Sequence, residues 1–60
     1  MEKMLRVKDI QNIIGCSLPK AYAIIKQSGF PSIRIGKNYY TSEIEFQKWV
    51  NRNLYKEIKL

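Results

Sequence analysis

Histidine is absent from the 60-residue sequence, and cysteine occurs once, at Cys16. A single cysteine cannot form an internal disulfide, which fits a reducing compartment. With no histidine in the chain, Cys16 can build neither a zinc site nor a Cys–His nucleophile pair. The sequence also has no glycine-rich loop of the kind that cradles a phosphate. We therefore expect no enzyme, no metal and no cofactor, with Cys16 as a small buried turn residue.

Long apolar runs are also missing. No stretch approaches the roughly 20 residues that a membrane-spanning helix needs, and no secretory signal peptide is visible. The sequence contains no low-complexity tract and no internal repeat. It therefore predicts a single small domain over residues 1–60, located in the cytoplasm, with residues 55–60 either its last part or a tail.

Acidic side chains are scarce, since five Asp and Glu residues face 11 Lys and Arg residues and leave a net charge of +6. No acidic residue lies between Asp9 and Glu43. The charged residues of that interval are all cations: Lys20, Lys26, Arg34 and Lys37. Cations without counter-charges are the electrostatic footprint of a surface that binds a polyanion. The charge pattern thus favours nucleic acid as the partner, with a merely soluble basic surface as the alternative.

The first apolar pattern begins at Leu5 and predicts a short helix. Its apolar residues recur at helical intervals: Val7, Ile10, Ile13 and Ile14. Asp9 suits the positive end of the helix dipole, whereas Arg6 is a poor N-cap. We expect this helix to end at Gly15 and to follow a frayed start over residues 1–4.

A second helix is predicted after a tight turn. Ser17 is a good N-cap, and Pro19 falls in the first turn, where its missing N–H costs nothing. The apolar face comprises Ala21, Ile24 and Ile25. The remaining positions form a basic and aromatic front: Lys20, Tyr22, Ala23, Lys26 and Gln27. Gly29 suits the left-handed residue that ends a helix. We expect a helix-turn-helix whose second helix enters the DNA major groove.

A β-hairpin is predicted next, after Phe30, which is expected to fill the core. Residues 32–35 alternate polar and apolar side chains, residues 36–38 form a turn cluster, and residues 39–41 are rich in strand formers.

The two faces of this hairpin are predicted from its alternation. We expect Ile33 and Ile35 on the core face, Arg34 on the opposite face and Lys37 at the tip, which makes the hairpin a wing. Of the two adjacent tyrosines, Tyr39 is expected to point inward and its neighbour outward.

A third helix is predicted from a capping box, with Ser42 as the N-cap and Glu45 reaching back from N3. The capping role explains Glu45, and positions two apart on a helix do not face each other. We therefore do not expect Glu43 and Glu45 to form a catalytic carboxylate pair. The apolar face comprises Phe46, Trp49, Val50 and Leu54, and Trp49 is expected to anchor this helix on the rest of the domain. The outer side is a solvated face: Lys48, Arg52 and Lys56. Beyond it, Ile58 and Leu60 either fray or touch a second copy.

This order of elements resembles the excisionase-type, MerR-like winged helix-turn-helix domains, which are small DNA-binding proteins of phages and mobile elements and include the AlpA-like phage regulators. The matching residues are 7–10, 13–17, 21–22, 24–25, 29–31, 33–37, 39, 42–45 and 49. The resemblance implies an α+β, mainly α, fold: two short helices, a β-hairpin wing and a C-terminal helix.

The resemblance also implies which residues face DNA. In the second helix, Ser17, Lys20 and Tyr22 face the duplex, and Lys26 points toward its backbone. In the hairpin, Arg34 and Lys37 reach an adjacent groove or its phosphates. The complete expected surface is Ser17, Leu18, Lys20, Tyr22, Lys26, Arg34, Lys37, Asn38 and Tyr40.

By this resemblance, the chain is expected to be an excisionase, a non-catalytic factor that steers a tyrosine integrase toward excision and binds duplex DNA cooperatively. A transcriptional regulator with the same domain is an alternative. A different class is a protein-interaction module whose apolar tail, Ile58 and Leu60, docks on an integrase or on itself. RNA is a weaker alternative, because the chain lacks the paired sheet aromatics of an RNA-recognition domain and its second helix suits a DNA groove better.

Overall fold

Three helices and a three-stranded antiparallel sheet make up the computed structural model, which describes residues 3–59. The elements in chain order are β1 (Met4–Arg6), α1 (Val7–Ile14), α2 (Leu18–Ile25), β2 (Ser32–Ile35), β3 (Asn38–Ser42) and α3 (Glu43–Arg52). The predicted α+β class is confirmed. Within the described residues, no helix combines the length and the apolar character that a bilayer span requires.

The predicted frayed start over residues 1–4 is wrong at Met4, which begins strand β1. This strand pairs antiparallel with β3, and Leu5 lies opposite Thr41 at its centre. The sheet order is therefore β1-β3-β2, with β3 in the middle. Leu5 is only 2% exposed, so β1 contributes a core residue. Three residues are too few for alternation to reveal a strand, and the partner strand lies far along the chain. The first two residues of the predicted start lie outside the described range.

The β2–β3 hairpin is present, but its two faces are the reverse of those predicted for the isoleucines. Arg34 lies opposite Tyr39, and Ile33 lies opposite Tyr40. Residues directly opposite each other share a face of the sheet. Because Tyr39 packs against the core, Ile33 and Ile35 point away from it and are 55% and 62% exposed. The prediction that Tyr39 points inward is confirmed. The prediction that Ile33 and Ile35 face the core is wrong, because this register puts them on the opposite face from Tyr39.

The N-termini of all three helices are capped by local side chains. Asp9 Oδ2 accepts a hydrogen bond from the Arg6 N–H at 2.9 Å, so α1 is capped from within its first turn. Ser17 Oγ accepts from the Lys20 N–H at 3.4 Å, and Ser42 Oγ accepts from the Glu45 N–H at 2.9 Å. Both predicted serine caps are confirmed. The predicted return bond from Glu45 is wrong, because its carboxylate pairs with Lys48 Nζ at 3.3 Å instead.

The helix ends follow the predictions less closely. Gly15 ends α1 with a left-handed φ of 78°, as expected. Helix α2 instead ends at Ile25, with Lys26 as a right-handed cap. Gly29, with a φ of 88°, belongs to the turn that follows, where the Phe30 N–H bonds to the Gln27 carbonyl at 3.1 Å. The predicted end of α2 at Gly29 is therefore wrong.

The core lies where α1, α2 and α3 meet the inner face of the sheet. Its buried apolar residues are Leu5, Val7, Ile10, Ala21, Ile24, Ile25, Phe30 and Phe46. The apolar face of α2 and the inward Phe30 are thus confirmed. In α1 the stripe is narrower than predicted, because Ile13 is 59% exposed and Ile14 is also exposed.

Trp49 forms an aromatic cluster with Phe46 of α3 and with Phe30. Its ring meets Phe30 edge-on, with 4.9 Å between centroids, and lies nearly parallel to Phe46 at 6.3 Å. Trp49 is half-buried and packs against the core, as do Val50 and Cys16, whereas Leu54 is exposed. The predicted anchoring role of Trp49 is confirmed for the contact with Phe30.

The segment after α3 folds back toward the end of α2. Gln27 Nε2 donates to the Lys59 carbonyl at 3.5 Å. Ile58 is half-buried and lines an apolar groove with Ile24 and Trp49. The tail thus contacts its own domain as far as residue 59, and the prediction for Leu60 lies outside the described residues.

Candidate nucleic-acid interface

An open cleft lies between α2, the start of α1 and the hairpin. It is lined by Tyr22, Asn38 and Tyr39 together with the segment from Arg6 to Asp9. Its volume is about 320 Å³, at the lower end of the range for small-molecule pockets. A cleft this small and open suits a protruding group of a larger partner, such as a phosphate, better than an enclosed ligand.

The exposed side of α2 forms one wall of this cleft. Burial of Ala21, Ile24 and Ile25 fixes the orientation of the helix. Tyr22 and Lys26 lie one turn apart, and the Lys26 N–H bonds to the Tyr22 carbonyl at 3.0 Å. These two exposed side chains therefore project from the same face.

The other predicted residues of α2 differ in their surroundings. Lys20 is exposed two residues before Tyr22, so it projects from the other flank of the exposed face. Ser17 is exposed at the cap position. Leu18 is half-buried and packs against the core, so its position is explained by packing alone.

The hairpin places Arg34 beside the cleft. Its guanidinium carbon lies 5.8 Å from the centroid of the Tyr39 ring, and its Nε donates to the Gly36 carbonyl at 3.0 Å. These contacts hold Arg34 on the same face of the sheet as Tyr39, which lines the cleft. Lys37 is exposed at the tip. Tyr40 lies on the opposite face, so the sheet separates it from Tyr22.

Two basic residues that border the cleft were absent from the predicted surface: Arg6 and Lys8. Arg6 lies opposite Tyr40, on the sheet face that points away from the cleft, so Lys8 is the cation of the two that belongs to it. The sequence assigned Lys8 to solvent and considered Arg6 only as a poor cap. Both are exposed. The sequence feature that could have identified them is the pair of basic residues on either side of Val7. The proximity of Lys8 to Tyr22 depends on the packing of α1 against α2, which sequence spacing alone does not give.

The electrostatic character of this surface is strongly positive. Within residues 3–59, the one ion pair joins Lys48 and Glu45 on α3, at 3.3 Å. The cations of α2 and the hairpin have no carboxylate partner in that range. The one acidic group at the cleft is Asp9, whose carboxylate is engaged by the Arg6 backbone N–H. The surface therefore favours an anionic partner.

No three His, Cys, Asp or Glu side chains come together in a metal-binding arrangement within the described part of the chain. Comparison with protein-family models, with curated proteins and with solved structures gives no match to this chain. The resemblance to excisionase-type domains stays a prediction.

Proposed function

We propose that this chain is a double-stranded DNA-binding protein, in which α1 and α2 act as a helix-turn-helix and the β2–β3 hairpin acts as a wing. One observation carries the proposal: α2 and the hairpin border one cleft through Tyr22, Asn38 and Tyr39, and the exposed cations of these two elements have no counter-charge among residues 3–59. A duplex offers a regular array of phosphates to such a surface, and most of the affinity of DNA-binding proteins comes from these contacts.

The shape of α2 supports its role as the groove-entering element. Its eight residues span about 12 Å, a length comparable with the width of the major groove. The exposed face of α2 also carries the small Ala23. A small side chain there lets the helix backbone approach base edges closely, and its methyl group suits contact with a thymine methyl.

The polar groups then have distinct roles. Lys20 and Lys26 bind phosphates as point charges. The Ser17 oxygen accepts the Lys20 N–H at the helix cap, which leaves its O–H free to donate to a phosphate oxygen. Arg34, stacked on Tyr39, is held in place to reach a neighbouring groove, where a narrow minor groove attracts arginine.

The biological role that we propose is that of an excisionase from a phage or mobile element, acting with a tyrosine integrase and performing no chemistry itself. Small size and a short reading helix favour cooperative binding at repeated sites. A transcriptional regulator would use the same surface. Footprints at the ends of the element favour the excisionase, and footprints confined to promoters favour the regulator.

Fluorescence anisotropy with a labelled duplex selected from a random-sequence pool tests DNA binding. The double variant Lys20→Ala/Arg34→Ala is expected to lose about tenfold or more in affinity. The slope of log Kobs against log salt concentration is expected to become shallower by about 2, one for each lost phosphate contact. The matched control is Arg52→Ala/Lys56→Ala, which removes the same charge from exposed positions at and beyond the end of α3. The control is expected to lose less than about threefold, as a change in long-range charge alone predicts.

Equal losses of affinity in the two double variants would show that binding depends only on net charge, and would contradict the proposal. Unchanged affinity in Lys20→Ala/Arg34→Ala would contradict it more directly. An RNA duplex of the same sequence serves as a competitor, and preference for RNA over DNA would assign the surface to another ligand.

A further inference from the structure

An apolar groove of about 270 Å³ lies between the end of α1, the end of α3 and the segment that follows α3. Apart from one asparagine, the residues that line it are apolar: Ile14, Ile24, Trp49, Val50, Leu54 and Ile58. Two of these large side chains, Ile14 and Leu54, are 41% and 52% exposed. Exposed apolar side chains that lie next to each other mark a contact surface.

Local hydrogen bonds fix the wall of this groove that follows α3. Asn53 Nδ2 donates to the Trp49 carbonyl at 2.7 Å, and the Lys56 N–H bonds to the Asn53 carbonyl at 3.1 Å. Between them, Tyr55 adopts a left-handed φ of 67°, which turns the chain. Ile58 is thereby brought to the groove that Trp49 also lines. A groove with ordered walls loses little conformational entropy on binding, so this one is suited to receive a partner.

A polar groove of about 350 Å³ adjoins the apolar groove, and the two grooves share three lining residues. Arg52 and Lys56 border the polar groove, and both side chains are exposed. Neither cation forms an ion pair among residues 3–59, and Glu57, the acidic residue of the same segment, forms none either. Apolar surface therefore lies directly beside positive charge that no carboxylate neutralises within that range.

We propose that these adjoining grooves form a docking site for an amphipathic helix of a partner protein. Its apolar side chains enter the apolar groove, and its Asp or Glu side chains lie against Arg52 and Lys56. A helix that binds in this way places apolar residues at positions i, i+3, i+4 and i+7. Carboxylates beside that row complement the two cations. The inference goes beyond the proposed DNA binding and does not depend on it.

The docking site lies on the side of α2 that faces away from the proposed DNA surface. Ile24 lines the apolar groove and Tyr22 lines the cleft. These residues are two positions apart, so they project from nearly opposite sides of the helix. Among the residues that the structure describes, none borders both the cleft and either groove. A partner helix on the docking site therefore leaves the cleft accessible to a duplex.

Charge and polarity select this occupant over a second copy and over DNA. Pairing of this face with the same face of a second copy brings Arg52 and Lys56 of one chain toward the same cations of the other. Phosphates can pair with the cations, but they are not suited to a groove lined by Ile14, Leu54 and Ile58. A helix that carries both apolar and acidic side chains satisfies both grooves.

Trp49 is the one tryptophan of the chain and lines both grooves, so its fluorescence reports binding without a label. The probe comes from a pool of helical peptides of about 14 residues that lack tryptophan. They carry leucine in an i, i+3, i+7 row and vary among Glu, Gln and Lys at the flanking positions. Selection on the full chain without DNA is expected to enrich Glu, and the enriched peptide is expected to shift the Trp49 emission.

The apolar half of the docking site is tested by Leu54→Ser. This variant is expected to bind the enriched peptide about fivefold or more weakly, as loss of an apolar anchor does. Leu54 is half exposed and lies beyond the end of α3, so the fold is retained. The matched control is Ile44→Ser, which removes a similarly exposed isoleucine from outside both grooves. Its peptide affinity is expected to stay within about twofold of wild type.

The cationic half is tested by Arg52→Gln/Lys56→Gln. This double variant is expected to bind the enriched peptide about threefold or more weakly and with less dependence on salt. The matched control is the same peptide with every Glu replaced by Gln. Its affinities for wild type and for the double variant are expected to agree within about twofold, because the interaction that the variant removes is between charges.

The remaining outcomes contradict the docking site. Enrichment of Lys, no preference for Glu, or an enriched peptide that leaves the Trp49 emission unchanged removes the acidic helix as the occupant. A dimer of the peptide-free chain in sedimentation that Leu54→Ser converts to monomer assigns the face to a second copy. A duplex that shifts the Trp49 emission and binds Arg52→Gln/Lys56→Gln much more weakly assigns it to nucleic acid. Because the peptide measurements contain no DNA, their failure leaves the proposed DNA binding standing.

Discussion

At the scale of single residues, the hydroxyl groups of two serines define where helices begin. Ser17 and Ser42 each accept a backbone N–H three residues later, as their positions before an apolar pattern predicted. The Asp9 carboxylate achieves the same result at α1, where Arg6 offers no cap. Capping depends on neighbours within four residues, which is why the sequence is informative at this scale.

The two serine caps differ in strength, and their removal is expected to show it. The Ser42 bond is 2.9 Å long, whereas the Ser17 bond is 3.4 Å, beyond the usual range for N–H···O contacts. Ser42→Ala is expected to lower the free energy of unfolding by about 1 kcal/mol and Ser17→Ala by about 0.5 kcal/mol. Urea unfolding of both variants measures the difference, and a larger loss for Ser17→Ala would contradict this ranking.

At the scale of elements, helices were easier to predict than strands. The starts of α2 and α3 follow from local chemistry, while β1 is stabilised by pairing with β3 across most of the chain. The faces of the hairpin were predicted from alternation alone, which cannot tell an inward row from an outward one. Register settles the question, because Tyr39 and Thr41 occupy the inner face and force Ile33 outward.

This inversion of faces has a measurable consequence for stability. Ile33→Thr is expected to change the free energy of unfolding by no more than about 0.5 kcal/mol, because the side chain is mostly in water and threonine suits a strand. Leu5→Ala, at a position 2% exposed, is expected to cost about 2–5 kcal/mol. Thermal and urea unfolding measure both variants.

The opposite ranking, with Ile33→Thr the more damaging change, would restore the faces that alternation predicted. It would also show that β1 contributes little to the core. Ile44→Thr is the control, because that isoleucine is exposed on a helix and lies outside the hairpin.

At the scale of the whole molecule, charge is the dominant feature. The net charge is +6, and the one ion pair among residues 3–59 lies on α3, away from the cleft. The concentration of cations on α2 and the hairpin was predictable from the sequence, since no acidic residue interrupts them. The involvement of Lys8 was not, because it arises from the packing of α1 beside α2.

The charge distribution predicts a steep salt dependence of duplex binding. A surface that contacts about five phosphates gives a slope of about −4 to −5 when log Kobs is plotted against log salt concentration. Anisotropy titrations at several salt concentrations measure this slope. A slope near zero would mean that few counterions are released, and phosphate contacts would then not be the source of affinity.

The central claim is that α2 and the hairpin together form the surface that meets duplex DNA. Chemical-shift mapping of backbone amides during titration with a duplex tests it most directly. The largest changes are expected at residues 17–26 and 34–39, with the Arg6–Asp9 segment next and α3 little affected. Changes concentrated on α3 and residues 53–59, or no changes at all, would contradict the claim.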